Sequence, residues 1–113
     1  IFPTPYGRVG IMICADRTQP GIVRSFCTAG ADFLICPSGG MFGSKENDPI
    51  VQARSKENGI HIVFVHPAEF LVTDPQGSIV ARTILGDRLF LSAGEVGKDK
   101  DLNGIFYYDL TRK

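Results

Sequence analysis

Cys14 stands where a thiol can act as a nucleophile. An apolar run, Val9 to Ile13, ends on it, and the charged turn Asp16-Arg17-Thr18 follows at once. In open α/β sheets, reactive groups gather beyond the carboxyl ends of the strands. A nucleophile at a strand-to-turn junction holds its side chain above the sheet. The next backbone N–H, here that of Ala15, is then free to stabilise an oxyanion. The same turn offers Asp16 and Arg17 to a substrate. Free cysteine is also among the most buried residue types and commonly acts as a small hydrophobe. That is the reading for Cys27, on the apolar stripe of a helical segment, and for Cys36, at the end of a second apolar run. A nucleophilic thiol needs a base or a cationic neighbour. His61 and His66 are the two histidines. His66 closes its apolar run and so can face the site, although a polar strand-end residue needs no chemical role. Spacing alone shows no Cys-His pair and no Ser-His-Asp set.

The elements that must position these groups follow from the pattern. Arg8 to Cys14 is β-branched and apolar on both faces, as in a buried strand. Pro20 to Ala31 changes period: Ile22, Val23, Phe26 and Cys27 recur at helical spacing, Pro20 suits a first turn and Gly30 a C-cap. Asp32 to Pro37 is a second buried strand, so a βαβ unit with parallel pairing is expected. Ser38 to Asn47 is expected to be a long loop. Asp48 to Gly59 is expected to be a helix, with Asp48 as N-cap, Pro49 at its first position and Gly59 past its end. His61 to Pro67 is a third apolar strand. Glu69 to Arg82 reads as a hairpin turning at Asp74-Pro75-Gln76-Gly77. Asp87 to Val96 and Gly104 to Leu110 are two further candidate strands, and Ile1 to Gly7 is a short extended segment. The order is β-α-β-α-β followed by a β-hairpin and C-terminal strands. This is an α/β sandwich layer with helices on one face. Strands apolar on both sides need cover on the other face too, which two helices hardly supply.

Composition bounds the function. A chain of 113 residues makes at most one domain with a modest core. Hydrophobic content of 43% and charged content of 21% fit a globular protein. Twelve basic residues balance twelve acidic ones, so nothing favours a nucleic-acid or acidic-lipid surface. The apolar runs are too short to span a bilayer as a helix. Three cysteines in apolar contexts read as free thiols in a reducing compartment, the cytoplasm. No C-x-x-C or H-x₃-H spacing suggests a zinc site, and no cofactor is implied. The sequence begins with Ile1, and its start looks cut from a longer polypeptide. The loop Gly39 to Lys45 resembles a phosphate loop, but Ser44 stands where that motif needs its second Gly. Met41 and Phe42 instead read as apolar pocket candidates at the mouth of a site, beside Ser38 and Gly39.

The segment Gly7 to Gly39 resembles the nucleophile segment of the carbon–nitrogen hydrolase (nitrilase) superfamily. There a strand reads G-x-V-G-x-x-I-C-x-D, a helix carries an Arg, and G-A-D opens a strand ending near P-S. The matching residues are Gly7, Val9, Gly10, Ile13, Cys14, Asp16, Arg24, Gly30, Ala31, Asp32, Pro37 and Ser38. "ARSKENG" is similar to the family's R-A-x-E-N helix, and "DPQGSIVA" to its D-P-x-G hairpin. The resemblance runs in order from about Gly7 to Ala81. It implies an αββα sandwich, here its C-terminal half (residues 1–113), the N-terminal part being absent. It also implies a Glu-Lys-Cys catalytic set in which Cys14 attacks an amide, carbamoyl or nitrile carbon to form a thioester. The Glu and Lys lie upstream in the family, and only Ile1 to Ile13 precede Cys14, so the fragment alone is expected to be inactive. Arg54, Glu57 and Asn58 match the supporting helix, Arg54 and Glu57 being able to pair three residues apart. Departures fall at Gly21, where the family often has an acid, at Ser55, and at "HPAEFLV" after the third strand. These put the substrate in question more than the reaction class.

The first reading is therefore a hydrolase of small amides, carbamoyl compounds or nitriles, working as a homo-oligomer. The others are a non-catalytic binding or scaffold relative, and a thiol enzyme of amidotransferase type with His66 as base.

Overall fold

The computed structural model describes residues 1–39, 43–67 and 69–84. Strand β1 (Phe2–Thr4) folds back antiparallel on β2 (Gly7–Ile11). A 3₁₀ turn (Cys14–Thr18) and helix α1 (Pro20–Thr28) lead to β3 (Phe33–Pro37). Helix α2 (Ser44–Asn58) then leads to β4 (His61–His66), and β5 (Glu69–Thr73) and β6 (Ile79–Ile84) close the described chain. The six strands form one sheet in sequence order. β2, β3 and β4 run parallel, as two βαβ units require, and β4, β5 and β6 are antiparallel. The fold is α/β, and the expected order of elements is present. The candidate strands at 87–96 and 104–110 lie outside the described residues.

Local chemistry explains most boundaries. Pro20 opens α1, where its missing N–H costs nothing. α1 ends in a Schellman pair: Ala31 N–H donates to the Phe26 carbonyl and Gly30 N–H to that of Cys27. Gly30 has φ 101°, a conformation a side chain would oppose. Gly10 meets a different demand. A Cβ there would stand 2.7 Å from Leu34 Cδ2 and 2.9 Å from Phe26 Cδ1, so α1 is seated directly on β2 through the missing side chain.

The start of α2 differs from the sequence expectation. The helix begins at Ser44, not after Asp48, and Pro49 lies inside it. Proline removes one helical hydrogen bond, and the carbonyl it would have bonded belongs to Lys45, which is solvent-exposed. The extra turn is held by tertiary contact, because Asn47 is buried and bonded to Arg17. Asp48 caps nothing. Its carboxylate pairs with Arg82 on β6, which also lies 3.8 Å from Glu69 Oε2.

Both helices cover the same sheet face. Met12, Leu34, Cys36, Ile62, Phe64 and Leu71 alternate onto it and pack with Val23 of α1 and Val51 of α2. Each fully buried large side chain contributes about 1.5–3 kcal/mol. The other face carries Ile11 beside Ile35, Ile35 beside Val63, and Val65 beside Phe70. Ile11 and Val65 are each 41% exposed, Ile35, Val63 and Phe70 are partly buried, and Val9 and Val72 on the same face are buried, so the row is only partly covered.

Candidate active site

β2 delivers Cys14 to the carboxyl edge of the parallel strands. After Ile11, Met12 N–H still donates to the Ile35 carbonyl, and the chain then turns. Cys14 has φ 49°, the one non-glycine residue with positive φ among the described residues. That conformation costs a residue with a Cβ about 1–2 kcal/mol, so neighbours must hold it. Four contacts do so. Ile13 N–H donates to Asp16 Oδ2 at 2.9 Å. Asp16 N–H donates to the Ile13 carbonyl at 3.0 Å. The Arg17 guanidinium donates through Nη1 to the Cys14 carbonyl. The Cys36 thiol, from β3, lies 3.8 Å from that same carbonyl oxygen. Asp16, expected to face substrate, thus spends one carboxylate oxygen on the turn's own backbone.

The sulfur has its own set of neighbours. Ser38, buried just past β3, aims its hydroxyl at Cys14 Sγ from 3.4 Å, and its N–H is tied to the Val65 carbonyl at 2.8 Å. The Ser38 hydroxyl hydrogen bond is the largest influence on the thiol and lowers its pKa. Partial burial opposes it, while Arg17 and the Ala15 N–H lower it further, leaving the thiol below the ordinary cysteine value. Cys36 shows the reverse: burial pushes it up to about 11. Burial also raises Cys27, which packs half-buried against the core.

Arg17 is 2% exposed and sits beneath the turn. Its Nε donates to Asn47 Oδ1 at 2.7 Å, and its guanidinium carbon lies 5.1 Å from the centre of the Phe64 ring. His66, two residues on along β4, stacks on the same ring with centroids 6.3 Å apart and planes 11° apart. Cys14, Ala15, Asp16, Arg17, Ser38 and His66 therefore gather at one edge, and Gly39 follows Ser38 there, exposed. Met41 and Phe42 lie outside the described residues. Sequence reading missed Asn47 and Phe64 as parts of this cluster. The sequence places Asn47 at the end of a loop and Phe64 within an apolar strand, and neither type signals a site by itself.

Arg54, Glu57 and Asn58 form a separate group near the end of α2. Arg54 Nε is 3.3 Å from Glu57 Oε2, a charge contact rather than a well-aligned hydrogen bond, and Asn58 Nδ2 donates to the Arg54 carbonyl. Arg24 of α1 donates to the Glu57 carbonyl at 3.0 Å, tying the two helices. At about 1.5 Å of rise per residue, Glu57 is roughly 15 Å along the axis from Asn47. The group ties the two helices together and lies along α2 away from the Asn47 contact. Among the described residues, no cluster of three or more His, Cys, Asp or Glu could hold a metal, and no helix is long and apolar enough to cross a membrane.

Comparison with known proteins bears on the family and the fold. The carbon–nitrogen hydrolase family pattern matches residues 1–88. Deaminated glutathione amidase of Mus musculus is 29% identical over 102 residues, covering 79% of this chain and 32% of that protein. The chain thus spans about a third of the length of the curated relatives it matches. Nit3 of Saccharomyces cerevisiae, a nitrilase superfamily member of solved structure, superposes with a TM-score of 0.67 at 25% identity. The overlap is 77% of this chain and 37% of that one. The cysteine-to-alanine mutant of an amidase from Nesterenkonia sp. AN1, solved with butyramide, gives 0.60 at 21% identity over 70% of this chain and 35% of its own. At that identity the likeness concerns the fold alone.

Proposed function

The chain belongs to the carbon–nitrogen hydrolase family, and from that membership we propose that Cys14 is the nucleophile that opens a small linear amide, carbamoyl compound or nitrile. The observation that carries this reading is the turn itself. Cys14 is held in a left-handed conformation at the carboxyl edge of the parallel strands, with the Ser38 hydroxyl 3.4 Å from its sulfur. A thiol below its usual pKa, next to the Ala15 backbone N–H that helps lower it, is suited to attack a carbonyl carbon.

In this scheme the thiol proton passes to a carboxylate base, and the sulfur bonds to the substrate carbon. The oxyanion that forms is met by the Ala15 N–H and a cation. Collapse expels ammonia or an amine, which takes up the proton, and leaves a thioester; a nitrile, having no carbonyl oxygen, gives a thioimidate that first takes up one water and then loses ammonia to reach the same thioester. Water then adds to the thioester and the acid departs, restoring the thiol. The base and the oxyanion cation are the Glu and Lys that the family resemblance implies, supplied by sequence outside these residues. The chain is thus read as a C-terminal portion, residues 1–113, inactive alone and needing no metal or cofactor. The substrate is a small molecule, which the name of the mouse relative supports. The exposure of Ile11 and Val65 on the sheet face away from the helices supports burial against further sequence or a second copy. We therefore expect the isolated chain to associate at micromolar concentration, where a strictly monomeric sedimenting species would argue against it.

The test is turnover of butyramide and related amides by the full-length polypeptide, with and without Cys14→Ala. Abolished turnover in the variant is expected, and unchanged turnover would refute the assignment. Activity of the isolated 113 residues that disappears in Cys14→Ala would move the base to His66.

A further inference from the structure

The contact between α2 and the nucleophile turn has no role in the scheme above. Asn47 is 2% exposed, as is Arg17, and the two side chains meet at 2.7 Å. A guanidinium has five donors in a fixed plane, so fixing Nε fixes where the other nitrogens point. Here Nη1 points at the carbonyl of Cys14. The stack on Phe64 restrains the same plane from one side. Asn47 is itself held because its N–H closes the first turn of α2 on the Gly43 carbonyl at 2.9 Å.

We propose that Asn47 is a positioning residue for the nucleophile: it aims the Arg17 guanidinium at the Cys14 carbonyl and does so without adding a negative charge at that contact. A carboxylate in its place would aim the guanidinium equally well and would oppose its charge. The neutral amide separates the two effects, so the Arg17 cation acts on the thiol through space as well as through the turn. Asn47 lies in the turn by which α2 precedes the Asp48-Pro49 signal, so that turn and the Arg17 contact occur together. Among the described residues, the charged and titratable groups around the thiol and its supports are Asp16 and Arg17 on its own turn, Cys36 from β3 and, beyond Phe64, His66 from β4; Glu69 of β5 stands opposite His66 in register, and Arg82 of β6 pairs with Glu69 and with Asp48, next to Asn47. Lys45 and Glu46, beside Asn47 on α2, are exposed to solvent.

The inference rests on Cys14 being the nucleophile, but its test reads the thiol and not turnover, so the two can fail separately. The rate of iodoacetamide alkylation at Cys14, followed by peptide mass spectrometry on the full-length protein, is measured against pH. In Asn47→Asp the midpoint is expected to rise by about one pH unit, a roughly tenfold slower reaction near neutrality, with the melting temperature kept. In Asn47→Ala the guanidinium loses its aim, and a rise of about half a unit is expected. The alanine variant also decides the matter should the aspartate variant fold poorly. Midpoints that stay at the wild-type value in a folded variant would overturn the proposal and leave Asn47 a helix-start residue only.

Discussion

Two neighbouring strand ends each carry a cysteine, and the two thiols are driven in opposite directions. Cys14, past the end of β2, has left the sheet through a left-handed turn and meets a hydroxyl, a guanidinium and a backbone N–H. Cys36, still inside β3, points into the helix-covered core, and burial pushes it up to about 11. They are close enough for the Cys36 sulfur to lie 3.8 Å from the Cys14 carbonyl. The residue type and the sheet edge are shared. What differs is one turn of backbone, which takes one sulfur out to polar partners and leaves the other among apolar ones. On the proposed reading, the turn and not the residue type sets which thiol reacts.

The largest effect expected from that contrast is on turnover. In the full-length protein, Cys14→Ala should lower kcat on the order of 10⁴-fold or more, whereas Cys36→Ala should stay within about tenfold of wild type. Comparable losses in both would dissolve the distinction. Next comes thiol selectivity. A thiol at about 11 carries on the order of a hundredfold less thiolate near neutrality than an ordinary one, and it is also shielded. Iodoacetamide should therefore label Cys14 at least about a hundredfold faster than Cys36, as resolved by time-course peptide mapping.

Linkage gives the contrast a sign in stability. The Cys36 thiol ionises at ordinary pH when unfolded but only near about 11 when folded. Its protonated form is therefore favoured in the fold, and stability is lost as pH rises from the ordinary thiol range through about 11. The loss is roughly 2–3 kcal/mol at most, and denaturant titrations should show it in wild type and not in Cys36→Ala. Cys14 runs the other way. Its folded pKa is depressed, so its contribution is present above the unfolded pKa and fades as pH falls through the folded one. The smallest expected effect concerns the hydroxyl. Ser38→Ala should raise the Cys14 alkylation midpoint by about one pH unit at most, through loss of one hydrogen bond to the thiolate. Cys36 should not respond.

Much of this was legible in the residues. The apolar run ending on Cys14, the helical period from Pro20, the Gly30 stop and the Asp74-Gly77 turn all act locally, and local signals survive in sequence. The strands apolar on both sides match a second sheet face on which Ile11 and Val65 are exposed while Ile35 and Val63 are partly buried. The start of α2 was not legible, because Asp48-Pro49 carries a strong capping signal, while Gly43 has no side chain to advertise the true N-cap. A contact thirty residues away in sequence, Asn47 on Arg17, decides that boundary. The burial of Arg17 was hidden for a similar reason: arginine is usually exposed, and only an assembled amide, ring and carbonyl make its burial tolerable. The sequence put Ser38 near the site, but the direction of its hydroxyl depends on β4 holding its backbone.

The most direct test of the central claim, that the Cys14 turn is the reactive centre, couples labelling to turnover. The full-length protein is treated with sub-stoichiometric chloroacetamide, an electrophile of substrate size, with and without butyramide, and residual amidase activity is plotted against occupancy of each cysteine. Activity should fall in proportion to Cys14 occupancy alone, and butyramide should slow both together. Full labelling of Cys14 with activity intact, or activity that falls with Cys27 or Cys36 instead, would contradict the account.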